Sequence, residues 1–477
     1  MKSFLADIGI YGLGPMGHSL ALNFADHGYS VAAFNITADL GWKLQEAPKL
    51  AAPIAICFSE DNLVARLRHP RKIMIMVKSG APVDEVLGRL LPQLDPGDII
   101  IEGGNSDFRD TQRRLKLANS HGVKYVGCGV SGGEEGARFG PALMPGGNEE
   151  AWPVIRPLLL DIAARNPKGE PCCDWIGPEG AGHFIKTHHN GMEYGVMQAL
   201  GEVVWFLSAL GLTYDEIAAA MLGWNAELKA YLAEITAEVL HAKDADGAPL
   251  IDRVLDLAGA KGTGAGTVAS ALDLNQSVNI LAAGLAARLM TMNRKRRELI
   301  AATYQMPAPR IEGDRGEWAA RIGEALQAAF ALIYSQGFNT LREASSRYGW
   351  RLNLPRIASI WTGGCIIRAE ILNQIAEAYT ADPRLDTLLV APAFVQMIRR
   401  GLPPLREMVA AAVRAGVPVP ALSAAVANID TMASGGIVSA RVIALQRDLF
   451  GAHGFHLTGA EPGELFHGPW SKSKPGA

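Results

Sequence analysis

Between His183 and Gly195 the chain reads HFIKTHHNGMEYG and runs straight into the apolar stretch VMQALGEVVWFLSALGL. With a helix starting near Gly182, Lys186, His189, Asn190, Glu193 and Tyr194 fall at steps of three and four and stack on one face. A base, an acid, two hydrogen-bonding side chains and a phenol on one stripe suit proton transfer to and from a bound polar substrate. Desolvation lowers the pKa of a buried lysine and makes it a usable base, while Glu193, about two turns along, is placed to act as an acid. An ordinary buried ion pair would show the same two residues. His189 and Glu193 also have the spacing of a pair of metal ligands, but a lysine cation on the same stripe opposes a dication, and no metal is expected.

A second set of residues suits a nucleotide. GLGPMG, which is Gly12, Leu13, Gly14, Pro15, Met16 and Gly17, follows an apolar run and opens a helical pattern. In that context Gly12 permits the tight turn, Gly14 lets the backbone approach a pyrophosphate, and Gly17 lets helix and strand pack closely. The next strand pattern ends in Asn35, Ile36 and Thr37, with Asp39 shortly after. An acid at the strand end reads the ribose hydroxyls of NAD and a nearby arginine suits NADP; neither stands there, so cofactor preference stays open. Val77-Lys78-Ser79-Gly80, Gly103-Gly104-Asn105-Ser106 and Ser131-Gly132-Gly133 are expected at the carboxyl edge of the sheet. Each alone reads equally well as a capped loop; together they read as a cofactor and substrate rim.

A third set suits a phosphate. KGTGAGT combines Lys261 and Thr263 with glycine amides, although a flexible helix–helix loop has the same composition. Arg288 sits in the apolar run LAAGLAARLMTM and needs an anionic partner. Arg447 and His453 bracket DLFGA, read as a short turn on a mobile tail that grasps an anion. The basic run NRKRRE reads as a solvated helix face.

These residues need elements to hold them. Candidate strands LADIGIYG, VAAFN, PIAICFS, RKIMIMV, GDIIIEGG and VKYVG alternate with amphipathic segments, which predicts a parallel α/β sheet. The glycine-rich stretch 127–147 is expected to end that pattern. Beyond about Gly180, helical periodicity predicts helices near 181–210, 214–240, 275–303, 316–348, 366–379 and 400–416. The expected fold is an α/β N-terminal Rossmann-like dinucleotide-binding domain (1–179), a large all-α substrate and dimerisation domain (180–434) and a C-terminal tail (435–477). The chain of 477 residues has 19% charged residues and a net charge of -3, so nothing pulls it toward nucleic acid or an anionic membrane. No apolar run reaches the roughly 18 residues of a membrane span. Five cysteines lack zinc spacing and read as reduced thiols of a cytoplasmic protein.

Taken together, these stretches resemble the 6-phosphogluconate dehydrogenases, the decarboxylating enzymes of the pentose phosphate pathway. The resemblance rests on GLGPMG, VKSG, IIIEGGNS with FRDTQRR, GVSGGEEGARFGPALMPGG, EPCCDWIG, GAGHFIK with HNGMEYG, KGTG, GGCIIR and QRDLFGAH, and covers nearly the whole chain. It implies 6-phosphogluconate as substrate, with Lys186 taking a proton from the C3 hydroxyl and Glu193 protonating C1 of the enediol left after loss of carbon dioxide. It implies that Asn105, Ser131, Gly132, Gly133, His189 and Asn190 hold the sugar acid. Tyr194, Lys261, Thr263 and Arg288 would line the phosphate end. Arg447 and His453 would complete the site of the neighbouring subunit in a homodimer. The cofactor would contact Gly12 to Gly17, Asn35 to Thr37, Val77 to Ser79, and Asn105. The family expectation is NADP. Ile36 stands where the family generally has arginine, and Leu40 replaces a basic residue, so NAD is a near-equal alternative. Gly266 and Thr362 also depart from the family pattern. Two further readings compete: a related β-hydroxyacid dehydrogenase for a smaller acid, and a non-catalytic nucleotide-binding paralogue.

Overall fold

The computed structural model describes residues 4–37, 44, 50–260 and 262–470. Asp39, Leu40 and Lys261, singled out above, lie outside the described residues, as do 471–477 at the end of the tail.

The six apolar runs form parallel strands: β1 (Ile8–Tyr11), β2 (Val31–Phe34), β3 (Ile54–Cys57), β4 (Lys72–Ile75), β5 (Ile99–Glu102) and β6 (Lys124–Ser131). Strands β1, β2, β4 and β5 are buried along their whole length, as continuous apolar runs are in a sheet covered on both faces. Among the described residues the sheet has eight strands in the order β3-β2-β1-β4-β5-β6-β7-β8. The order switches direction between β1 and β4, which opens a crevice at their carboxyl ends.

The glycine-rich stretch does not end the sheet. It supplies the second half of β6, a short helix (Gly133–Phe139) and β7 (Ala142–Gly147), which runs antiparallel to β6; β8 (Gly177–Pro178) then pairs with β7. Glycines read as breakers in isolation. Here they allow close approach: a Cβ at Gly129 would lie 2.5 Å from the Lys186 Cβ. A Cβ at Gly182 would meet the Gly127 and Met144 carbonyl oxygens. Bare backbone on both sides draws the next helix onto β6 and β7.

That helix is Ala181–Ala209, and beyond it the Met1–Ala425 unit is helical: Tyr214–Leu228, Tyr231–His241, Thr263–Asp273, Asn279–Thr291, Arg294–Tyr304, Arg315–Tyr348, Leu354–Ile360, Ile371–Ala381 and Pro392–Ala415. The expected 214–240 helix is broken where Lys229 takes a left-handed φ of 42°. The 275–303 helix is broken where Asn293 caps the next segment by accepting from the Arg296 N–H. The TGAGT part of KGTGAGT is helical, not a flexible loop, because a helix starts at Thr263 directly after Gly262 (φ 93°). Arg315–Tyr348 has a central stretch buried on nearly all sides and packs against Ala181–Ala209, where Gly337 faces Met192. Glu202, also on the Ala181–Ala209 helix, accepts from the Ala421 and Leu422 N–H groups at 2.8 and 2.9 Å and so caps the Pro420–Ala433 helix.

The chain forms two compact units, Met1–Ala425 and Val426–Ala477. In the second, DLFG is the last turn of a helix (Val438–Gly451), not a free turn, and Ala452 leaves it in a left-handed conformation. Asp448, 2% exposed, accepts from the Gly454 and Gly468 N–H groups and the Trp470 indole at 2.8–3.0 Å. Those bonds, the Gly468 N–H first, hold its carboxyl far below the ordinary range. Among the described residues no single helix is long and apolar enough to cross a membrane.

Candidate active site

The Ala181–Ala209 helix places Lys186, His189, Asn190, Glu193 and Tyr194 on one side, as their spacing predicts. Lys186 is 5% exposed, and burial pulls its amine pKa below the lysine value, opposed by Glu193. Its Nζ lies 3.3 Å from His189 Nδ1. Glu193 is more open, with 18% of its side chain exposed and its Oε2 3.9 Å from the same nitrogen. Burial pushes its carboxyl up, opposed by Lys186 and Arg288. One helix therefore carries an amine biased toward its neutral form and a carboxyl biased toward its acid form.

His189 ties the helix to two other segments. Its Nδ1 is 3.0 Å from Asn190 Oδ1, and its Nε2 is 3.1 Å from Ser131 Oγ and 2.7 Å from Cys365 Sγ. Burial keeps the imidazole neutral, and it pushes the Cys365 thiol up to about 12. Nδ1, facing the amide oxygen, is thus the donor, and Nε2 accepts from the hydroxyl and the thiol. Ser131 ends β6, and the left-handed Gly132 and Gly133 turn the chain beside it. A Cβ on Gly132 would lie 2.7 Å from the Gly364 oxygen, so this turn and the loop carrying Cys365 close on each other.

At the other end of the stripe the Arg288 guanidinium lies 3.8 Å over the Tyr194 ring. Gly284, one turn earlier, allows the two helices to approach: its Cβ would be 2.9 Å from the Tyr194 backbone carbonyl oxygen. Arg288 is half-buried and has no carboxylate within ion-pair distance among the described residues, so its guanidinium does not need the buried anionic partner that its apolar sequence context suggested and stays open to solvent or an anion. Thr263 opens the neighbouring helix, and Gly264 after it faces the Tyr194 ring, with a Cβ 2.7 Å from Cε2.

The cofactor candidates line the carboxyl ends of β1, β2, β4 and β5. Gly12 (φ 100°) turns against the Met76 carbonyl, and Gly17 packs on the Gly12 carbonyl. Gly14 faces open space and precedes the Pro15–Asp26 helix, whose first N–H groups have no side-chain cap. Leu13, Pro15 and Met16 complete this turn. A cradle of bare backbone at an uncapped helix start fits a dinucleotide pyrophosphate. Asn35 accepts from the Leu13 N–H at 2.9 Å and donates to the Thr37 carbonyl at 3.0 Å, so both ends of its amide brace the loop. Ile36 is 71% exposed. Val77, Lys78 and Ser79 follow β4, and Asn105 is exposed after β5. Thr362 is engaged within its own turn, donating to the Ser359 carbonyl at 2.7 Å, and Gly266 faces Thr187.

Ser131, Gly132, Gly133, Lys186, His189, Asn190, Glu193, Tyr194, Thr263 and Arg288 are therefore brought together around one helix. Arg447 and His453 belong to the Val426–Ala477 unit. Two neighbours of the site were not singled out from sequence: Cys365, whose sulfur meets His189, and Trp361, whose ring stands edge-on to His189 at 5.5 Å. The signal was the glycine pair in WTGGC, which permits a tight loop.

Two family models cover the chain, one for the NAD binding domain of 6-phosphogluconate dehydrogenase (residues 7–177) and one for its C-terminal domain (182–470). A decarboxylating 6-phosphogluconate dehydrogenase of Haemophilus influenzae is 41% identical over 98% of this chain and 97% of its own. The chain belongs to the 6-phosphogluconate dehydrogenase family. A second family member, the decarboxylating enzyme 2 of Saccharomyces cerevisiae, is 43% identical over 96% of this chain and 93% of its own. Among solved structures, 6-phosphogluconate dehydrogenase of Plasmodium falciparum, described apo, with its cofactor NADP+ and with its substrate 6-phosphogluconate, superposes with a TM-score of 0.92. It is 34% identical and covers 97% of this chain and 100% of that one. Family membership accounts for the coexistence of the nucleotide turn, the Lys186–Glu193 stripe and the Arg288–Tyr194 pair in one chain.

Proposed function

We propose that this protein oxidatively decarboxylates 6-phosphogluconate to ribulose 5-phosphate and carbon dioxide in the pentose phosphate pathway, reducing NADP or NAD. The observation that carries this reading is one helix face with a buried base, an acid about two turns along it, and a guanidinium from the Asn279–Thr291 helix laid over Tyr194 at its far end. A bound nicotinamide supplies the hydride acceptor. Lys186, biased toward its neutral form by burial, takes the proton of the C3 hydroxyl as hydride leaves C3. The resulting β-keto acid loses carbon dioxide because the keto group takes up the electrons of the breaking bond. The amine, now an ammonium, stabilises the negative charge that grows on that oxygen. Glu193 then delivers its proton to C1 of the enediol. Ser131, His189 and Asn190 orient the hydroxyls and carboxylate, together with Asn105 and the Gly132 and Gly133 amides. Arg288, Tyr194 and Thr263, with Lys261, take the phosphate.

NADP is the family expectation. Ile36 offers an apolar side chain to the 2′ position, and loss of a charge-assisted contact costs roughly 1.5–3 kcal/mol, about ten- to a hundredfold and more in affinity. NAD is therefore a near-equal candidate. The same proposal includes a homodimer, with a cofactor part (1–179), a helical part (180–434) and a tail (435–477) whose Arg447 and His453 complete the neighbouring site. Large apolar side chains exposed along 250–306, such as Val254, Leu255 and Met306, support a partner surface, as do Val438, Ile443 and Phe450 in the tail unit. Five unpaired, buried cysteines suit a reducing, cytoplasmic setting.

Absorbance of reduced cofactor, followed with 6-phosphogluconate and either nucleotide, tests the reading. A rise with at least one nucleotide is expected. A rise only with a smaller acid such as 3-hydroxyisobutyrate, or none at all, would overturn it.

A further inference from the structure

A cavity of about 1160 Å³ opens on the Met1–Ala425 unit, and none of its lining residues belongs to the candidate active site. One wall comes from the Trp152–Ile162 helix and the 168–174 segment, the other from the end of the Arg315–Tyr348 helix, the 351–356 segment and the Ile371–Ala381 helix. Its lining holds five cations (Arg156, Lys168, Arg342, Arg351 and Arg356) against two acids, Glu170 and Asp174, in a chain whose net charge is -3. Such a local excess in a net-negative protein needs a use.

Two of the five cations are already engaged. Arg356 pairs with Asp174 at 2.8 Å and donates to the Pro171 and Cys173 carbonyls. Arg342 pairs with Asp386 at 3.3 Å and donates to the Arg384 and Leu385 carbonyls. Arg156, Lys168 and Arg351 have no carboxylate within ion-pair distance among the described residues. Arg351 is held at a φ of 52°, a conformation that a non-glycine residue adopts at a cost. A separate observation also points to a ligand. Tyr379 lines the cavity, is 1% exposed, and its hydroxyl has no hydrogen-bond partner among the described residues. Buried hydroxyls are nearly always satisfied, so this donor is left for something else. None of the exposed apolar residues assigned above to a partner surface lines this cavity.

We propose that the cavity is a second anion site, distinct from the catalytic one, that takes a small phosphorylated metabolite. Three cations without a salt-bridge partner among the described residues, against two acids in the same lining, leave an excess of positive charge, and guanidinium forks match phosphate oxygens. The volume is somewhat above that of ordinary small-molecule sites, about 300–1,000 Å³, and has room for a phosphorylated metabolite.

Titration calorimetry of the full chain with inorganic pyrophosphate tests this. The catalytic site is first filled with 6-phosphogluconate and reduced cofactor, so that only other sites respond. The parent is expected to bind pyrophosphate with one site per chain. Arg351→Glu and Arg156→Glu are each expected to weaken binding at least tenfold while leaving turnover of 6-phosphogluconate unchanged. If Arg351→Glu fails to fold, Lys168→Glu at an exposed position carries the same test. No pyrophosphate binding by the parent with its catalytic site filled, or equal binding by parent and charge-reversed variants, would overturn the proposal.

Discussion

The chemistry sits in a handful of side chains whose environments push their proton affinities in useful directions. Burial drives Lys186 toward the neutral amine and Glu193 toward the protonated acid, and each partly resists the shift of the other. This pair was legible from sequence because a helix repeats its face every three to four residues. Cys365 was not legible, since its contact with His189 spans 176 positions and only the fold brings them together. Ile36 gives the sharpest prediction at this scale. It is exposed, and Asn35 beside it is occupied by backbone contacts. Ile36→Arg should raise the NADP-to-NAD ratio of kcat/KM by about ten- to a hundredfold through a new charge-assisted contact. An unchanged ratio would mean that the 2′ position is read by other groups.

At the scale of elements, glycine decides how the catalytic helix meets the sheet. Gly127 and Gly129 leave room for the His183 and Lys186 side chains, and Gly182 seats directly against the Gly127 and Met144 carbonyls. In one dimension the same glycines look like breakers, which is why β7 and the second half of β6 were not foreseen. The six parallel strands and the 181–210 and 316–348 helices were foreseen, because long periodic patterns survive local noise. Glu202 shows an element held by one buried acid. Burial pushes its carboxyl up to about 7 although it accepts backbone N–H bonds that cap the Pro420–Ala433 helix. A raised acid binds its proton more tightly in the folded state. Its stabilising effect is complete below the unfolded pKa and is lost as pH rises through the folded one. Stability should therefore fall between about pH 4.5 and 7, by up to about 1.4 kcal/mol per pKa unit. Glu202→Gln should flatten that slope in denaturant titrations at several pH values and lower stability at acid pH. An identical slope would remove Glu202 from this role.

For the whole molecule, the proposed exchange of tails between subunits predicts complementation. Lys186→Met lacks the base, and Arg447→Glu puts the wrong charge on the tail. Mixed and reassembled, the two chains should regain partial activity, because a hybrid has one intact Lys186 served by one intact Arg447. No gain on mixing would place Arg447 in the service of its own subunit. The reading as a whole depends on Lys186 as the base that starts the reaction, and one measurement reaches it directly: reduced cofactor formed per second by Lys186→Met with 6-phosphogluconate, set beside the dissociation constant of that substrate. The account predicts turnover reduced by about 10²–10⁴ or more, with substrate affinity within about tenfold of the parent. Turnover close to the parent's would contradict it.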